Sequence, residues 1–182
     1  MKFWSLLLAV SALSMSSACA QEATGLTEES IRKFSHDTTT ASKKPYDEYI
    51  EFIKTTTHSD FNGKVSMGIR MPDNSVETSP EPMALNKTTM VSTGHAAYNS
   101  IQKATIEIII SDIQISPDKQ SATVKSEVIV NNQEITTGEP PITTSAESKA
   151  TCTDELIFTA GIGVQLMKSD CATELTMKPP QE

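Results

Sequence analysis

The chain has 182 residues, with 15 Lys and Arg against 23 Asp and Glu and a formal net charge of −8. That balance excludes a partner gripped through a phosphate backbone, which needs clustered basic side chains. The length suffices for one hydrophobic core and not for two.

The start is Met1-Lys2, an apolar run from Phe3 to Met15, then small residues ending in Ala18-Cys19-Ala20. One positive charge, a short apolar core and an A-x-A site predict a signal peptide over residues 1–20, cleaved after Ala20. The run is shorter than the roughly 20 residues a transmembrane helix needs. Cleavage would remove Lys2 and Trp4, the one tryptophan, and leave a more acidic chain in the periplasm or outside the cell. The alternative is a lipoprotein anchored through Cys19, since Ser17-Ala18-Cys19 looks like a lipid-attachment site, although Ser16 stands where such signals carry leucine. Residues 21–182 read as a single domain, ordered over about 26–176.

Thr27 is placed as an N-cap, with Glu28 and Glu29 in the first turn and Leu26 and Ile31 set for a hydrophobic staple, so a helix follows and ends at Thr38 to Thr40. A second helix starts near Pro45, with Tyr46, Tyr49, Ile50, Phe52 and Ile53 largely on one face, and ends at Thr55 to Thr57. His58 to Gly63 reads as a turn. Val65, Met67, Ile69 and Met71 then alternate as a half-buried strand. Pro72 to Pro82 and Gly138 to Ser148 read as mobile loops. Between them Asn86 caps a third helix, with Met90, Val91, Ala97 and Ile101 inward and Gly94 as a local weakness.

The rest is β. Ile106, Ile108 and Ile110 occupy even positions and Ile113 and Ile115 odd ones, which demands one extra residue and places a β-bulge at Ser111-Asp112. Ala122, Val124, Ser126, Val128 and Val130 line one face of the next strand. Two further runs, Ser148 to Thr159 and Val164 to Thr176, complete a four-strand antiparallel meander. A two-residue hairpin centred on Gly161-Ile162 sets Cys152 opposite Cys171, Glu155 opposite Lys168, Ile157 opposite Leu166 and Leu156 opposite Met167. In an exported protein Cys152 and Cys171 should form a disulfide.

This order of elements, carried by ATIEIIISDIQISPDKQSAT (104–123) and SKATCTDELIFTAGIGVQLMKSDCA (148–172), is similar to the nuclear-transport-factor-2-like superfamily, the cystatin-like cone. The resemblance spans about Leu26 to Thr176. It implies an α+β fold with N-terminal helices packed on a strongly curved antiparallel sheet, enclosing a conical cavity. Members include isomerases, cyclases, dehydratases and catalytically silent binding domains, so fold alone leaves the chemistry open. No local motif matches the catalytic carboxylate and donors of the ketosteroid-isomerase-like members.

His95 and Tyr98, three apart on the third helix, are the expected pocket pair, because the resemblance sets that helix beside the cavity; Tyr49 joins them as a pocket candidate. His58 and Asp60 sit together in a polar turn, and no histidine spacing fits a zinc site. Neither cofactor nor catalytic residue is assigned. Asn86-Lys87-Thr88 fits a glycosylation acceptor in a eukaryotic source. The expected function is an exported, non-enzymatic domain that holds a small apolar ligand in its cone or a protein partner on its sheet face, with a homodimer through that face as one form. The alternative is a cavity enzyme of isomerase or dehydratase type, which requires a carboxylate or histidine buried in the cavity with a shifted pKa.

Overall fold

The computed structural model describes residues 24–71, 73–79, 81–137 and 142–177; the expected signal peptide, its cleavage point and Cys19 lie outside them. Helix α1 (Glu28–Ala41) begins as its sequence requires. Thr27 Oγ1 accepts from the Ser30 N–H at 3.0 Å and Ser30 Oγ accepts from the Thr27 N–H at 2.9 Å, so two helix-end donors are satisfied reciprocally. Leu26 and Ile31, both 1 % exposed, close the staple and join Ala122, Val124 and Leu156 in one core cluster.

Helix α2 (Tyr46–Thr56) runs directly into strand β1 (Thr57–Arg70). The turn expected over His58 to Gly63 is therefore strand. Asn62 and Gly63 pair with Lys168 and Ser169, and Phe61 is 3 % exposed, so long-range pairing and burial override the turn preference of these residues. Within the stretch read as loop, β2 (Val76–Thr78) adds to β1, as does β3 (Met83–Asn86) just after it.

Helix α3 (Lys87–Ile101) is capped by Asn86, whose Oδ1 accepts from the Thr89 N–H at 2.9 Å. Gly94 is buried in it, and a Cβ there would overlap Ile53 Cδ1. The expected weak point of α3 thus lies against α2, where the Ile53 side chain occupies the space a side chain at 94 would take.

Strands β4 (Thr105–Ile115), β5 (Ser121–Thr137), β6 (Ile142–Thr159) and β7 (Gly163–Met177) form the antiparallel meander. Register shifts between Ile110 and Asp112, so the bulge lies at the expected place and keeps Ile113 and Ile115 on the side of Ile110. Ile142 to Ser148, expected as loop, belongs to β6, paired with β5. The full order is β2-β1-β7-β6-β5-β4, and β1 lies parallel to β7, the one parallel pair among the described strands. Bulges in β4, β5 and the β6–β7 pair curve this seven-stranded sheet around the helices, giving the α+β cone.

The terminal hairpin keeps the expected register beyond Glu155, including Glu155 opposite Lys168, but not next to the turn. A β-turn closes from the Ile162 N–H to the Thr159 carbonyl at 3.0 Å, with Gly161 at φ +77° in its third position, where positive φ favours glycine. Thr159 consequently pairs with Gly163, Ile157 with Gln165 and Leu156 with Leu166, and a shift between Glu155 and Leu156 restores the register. The one-residue change sets Gln165 opposite Ile157, on the face away from the core-packed Val164 and Leu166, where it is nonetheless buried. There its Nε2 donates to the Thr55 carbonyl at 2.7 Å, satisfying an end group of α2, and its Oε1 accepts from Thr159 Oγ1 at 2.7 Å.

Candidate functional site

The concave face of the sheet and the helices enclose a cavity of about 380 Å³. Helix α1 contributes Phe34 and Thr38, α2 contributes Phe52 and Ile53, and α3 contributes Met90. From the sheet come Ile106, Ile108 and Ile110 of β4 and Val124, Ser126, Val128 and Val130 of β5, the residues whose alternation was read as an inward face. Among the described residues the wall is apolar, broken by serine and threonine hydroxyls and by one ionisable side chain, Asp154 of β6.

Asp154 points inward because it shares parity with Cys152 and Leu156, which also line the cavity. Its Oδ1 accepts a hydrogen bond of 2.6 Å from Ser169 Oγ, on the facing position of β7. Oδ2 accepts none from the described residues. Burial pushes the carboxyl above the usual aspartate range; the Ser169 hydrogen bond opposes this, and the charge of Asp170 adds to the rise. Asp170 lies on the other face of the sheet, where its Oδ2 pairs with Lys168 Nζ at 3.1 Å and Lys168 also reaches Glu155 at 3.6 Å. Sequence reasoning missed Asp154. The signal was present, since Asp154 stands on the apolar parity of an otherwise alternating strand.

A carboxyl whose pKa rises on folding opposes folding when it ionises. That stability is present below the ordinary aspartate pKa and is lost as pH rises through the raised value. Asp154→Asn should therefore raise the melting temperature by a few degrees at pH 7 and leave it nearly unchanged below about pH 3, where Asp154 is protonated in both states. Calorimetry of both proteins across this range checks the sign. Equal gains at both ends would show that charge burial is not the cause.

His95, Tyr98 and Tyr49 are brought together, but in the seam between α2 and α3 rather than on the cavity wall. The Tyr46 hydroxyl is hydrogen-bonded to His95 Nδ1, and the Tyr46 and Tyr98 rings meet edge to face at 5.1 Å. The Tyr98 hydroxyl donates to the Lys44 carbonyl at 3.0 Å. Tyr49 packs 5.5 Å from the Tyr98 ring, and burial raises its pKa. His58 and Asp60 share a local contact, with the Asp60 N–H donating to His58 Nδ1 at 3.1 Å.

Cys152 and Cys171 are joined in a disulfide, with Cα atoms 4.2 Å apart on directly opposed positions. Pairing continues past it to Ala146 and Met177, so the bridge sits within the hairpin and not at its frayed end. Cys152 is 5 % exposed and forms part of the cavity wall beside Asp154. Among the described residues no cluster of His, Cys, Asp and Glu could hold a metal ion, and no helix is long and apolar enough to cross a membrane. A second, more polar depression of about 700 Å³ lies on the opposite face of the sheet, between Met67, Val76, Ile129 and Lys149.

No protein-family model matches the chain, and no curated protein matches it. Solved structures do resemble it. A conserved protein from Planctomyces limnophilus is 10 % identical, with 83 % of this chain and 97 % of that one covered at a TM-score of 0.52. The β subunit of a candidate aromatic-ring-hydroxylating dioxygenase from Novosphingobium aromaticivorans is 15 % identical, over 80 % and 88 % of the two chains, at 0.49. An NTF2-like protein of unknown function from Pseudomonas aeruginosa is 13 % identical, over 82 % and 99 %, at 0.48. Three helices on a seven-stranded curved sheet, a bulged β4, an antiparallel meander and a parallel β1–β7 pair together give this chain a cone-like α+β fold, similar to that of the nuclear-transport-factor-2-like proteins.

Proposed function

We propose that this chain is an exported binding domain that holds a small apolar ligand in its cone. The observation that carries the reading is the open apolar cavity of about 380 Å³, within the size range of small-molecule sites. A disulfide between Cys152 and Cys171 supports an oxidising compartment, in keeping with the leader read from residues 1–20. One observation favours a cavity enzyme as the second reading: Asp154 is a carboxyl in the cavity wall with a raised pKa. Binding is preferred because acid–base isomerisation also needs a group that stabilises the developing charge, and His95, Tyr98 and Tyr49 lie off the wall.

The neutral fluorophore N-phenyl-1-naphthylamine tests the reading. The leaderless chain should enhance its emission saturably, and Val128→Trp, which fills the cavity from β5, should weaken uptake by about tenfold or more while the far-ultraviolet circular dichroism stays unchanged. No saturable uptake by the parent protein, or equal uptake by the variant, would overturn it.

A further inference from the structure

The cavity wall contains one feature that a purely apolar ligand does not explain. Among the described residues that line it Asp154 alone is ionisable, and none of them is basic. A carboxylate facing an apolar space is costly unless it is protonated or meets a cation. Ser169 satisfies Oδ1 at 2.6 Å, leaving Oδ2 without a donor among the described residues. Lys168 of the neighbouring β7 is on the far face and already serves Asp170 and Glu155. The charge of Asp170 behind the sheet acts on Asp154, and the chain as a whole carries −8.

Resting on the binding function proposed above, we infer that the ligand is an amphiphile with an apolar body and a cationic ammonium head, the head donating to Asp154 Oδ2 and the body lying against Ile108, Val128 and Met90. An ammonium donates charge-assisted hydrogen bonds and neutralises the carboxylate, an alcohol donates a single neutral bond, and a carboxylate head is repelled. The hydroxyl of Ser169 holds Asp154 against the wall, so the acceptor is oriented before the ligand arrives.

The experiment is displacement of N-phenyl-1-naphthylamine at pH 7 by octylammonium, octanol and octanoate. The expected result is that octylammonium displaces the probe at about a tenfold lower concentration than octanol, that octanoate is the weakest, and that Asp154→Asn brings octylammonium to the level of octanol. Equal displacement by octylammonium and octanol, or preference for octanoate, would overturn the cationic head and leave the apolar cavity function standing. A preference for octylammonium that survives in folded Asp154→Asn would overturn the role of Asp154. Failure of the parent protein to take up the probe at all would overturn the cavity function, and this inference with it.

Discussion

Leu26→Ala should lower the unfolding free energy by about 2–5 kcal/mol, which for a domain of this size lowers the melting temperature by roughly 5–15 °C. Leu26 is 1 % exposed and is packed with Ile31, Ala122, Val124 and Leu156, so truncation leaves a void between α1 and the sheet. It also removes one half of the staple that fixes where the chain enters α1. The backbone there is constrained independently, since the Leu26 N–H donates to the Lys119 carbonyl at 2.7 Å and a Cβ on Gly25 would lie 2.7 Å from Lys119 Cβ. The segment therefore cannot slide inward to fill the space. Urea denaturation followed by circular dichroism measures the loss, and a change under 1 kcal/mol would mean that the α1 end of the core collapses around the void.

The second large effect concerns the bridge. Replacing both Cys152 and Cys171 by serine should cost about 3 kcal/mol, the chain-entropy value for a closed loop of this length, set here by a sequence separation of 19. An additional loss is expected from the site itself. Cys152 is buried in an apolar wall, and a serine hydroxyl there must find a partner or remain unsatisfied. The double Cys→Ala variant separates the two contributions, since it removes the bridge without burying hydroxyls. Melting temperatures in the order parent, double alanine, double serine are expected. A melting temperature for the parent that does not move on full reduction would show that the bridge adds nothing to stability.

Features set by neighbouring residues were legible in the sequence. Thr27 and Asn86 announce helix starts because a cap needs only the next turn, and the parity change at Ser111-Asp112 announces a bulge because strand faces alternate by twos. The pairing of Glu155 with Lys168 and of Cys152 with Cys171 was read from a two-residue turn at Gly161-Ile162 that the hairpin does not have, and it stands because the shift between Glu155 and Leu156 cancels the difference. What escaped depends on distant partners. His58 to Gly63 carries turn-forming residues, yet extends because β7 lies alongside it. The shift near the hairpin turn escaped because it positions Gln165 for the Thr55 carbonyl, 110 residues away. Asp154 was readable by parity but was passed over, because a single carboxylate gains chemical meaning only when Ser169 and an enclosing cavity are set beside it.

The parallel pairing of β1 with β7 bears on how the molecule comes into being. Arg70 and Glu174, ion-paired at 2.9 Å across that seam, are 104 positions apart, and Thr57 to Arg70 has no partner on its β7 side until the last strand has been made. Closing contacts of such separation is slow, because the loop entropy is lost before the contacts form. A chain emerging from the ribosome therefore stays unclosed until its final strand is free. The delay keeps it threadable, and it defers pairing of Cys152 with Cys171 until β7 can lie against β6.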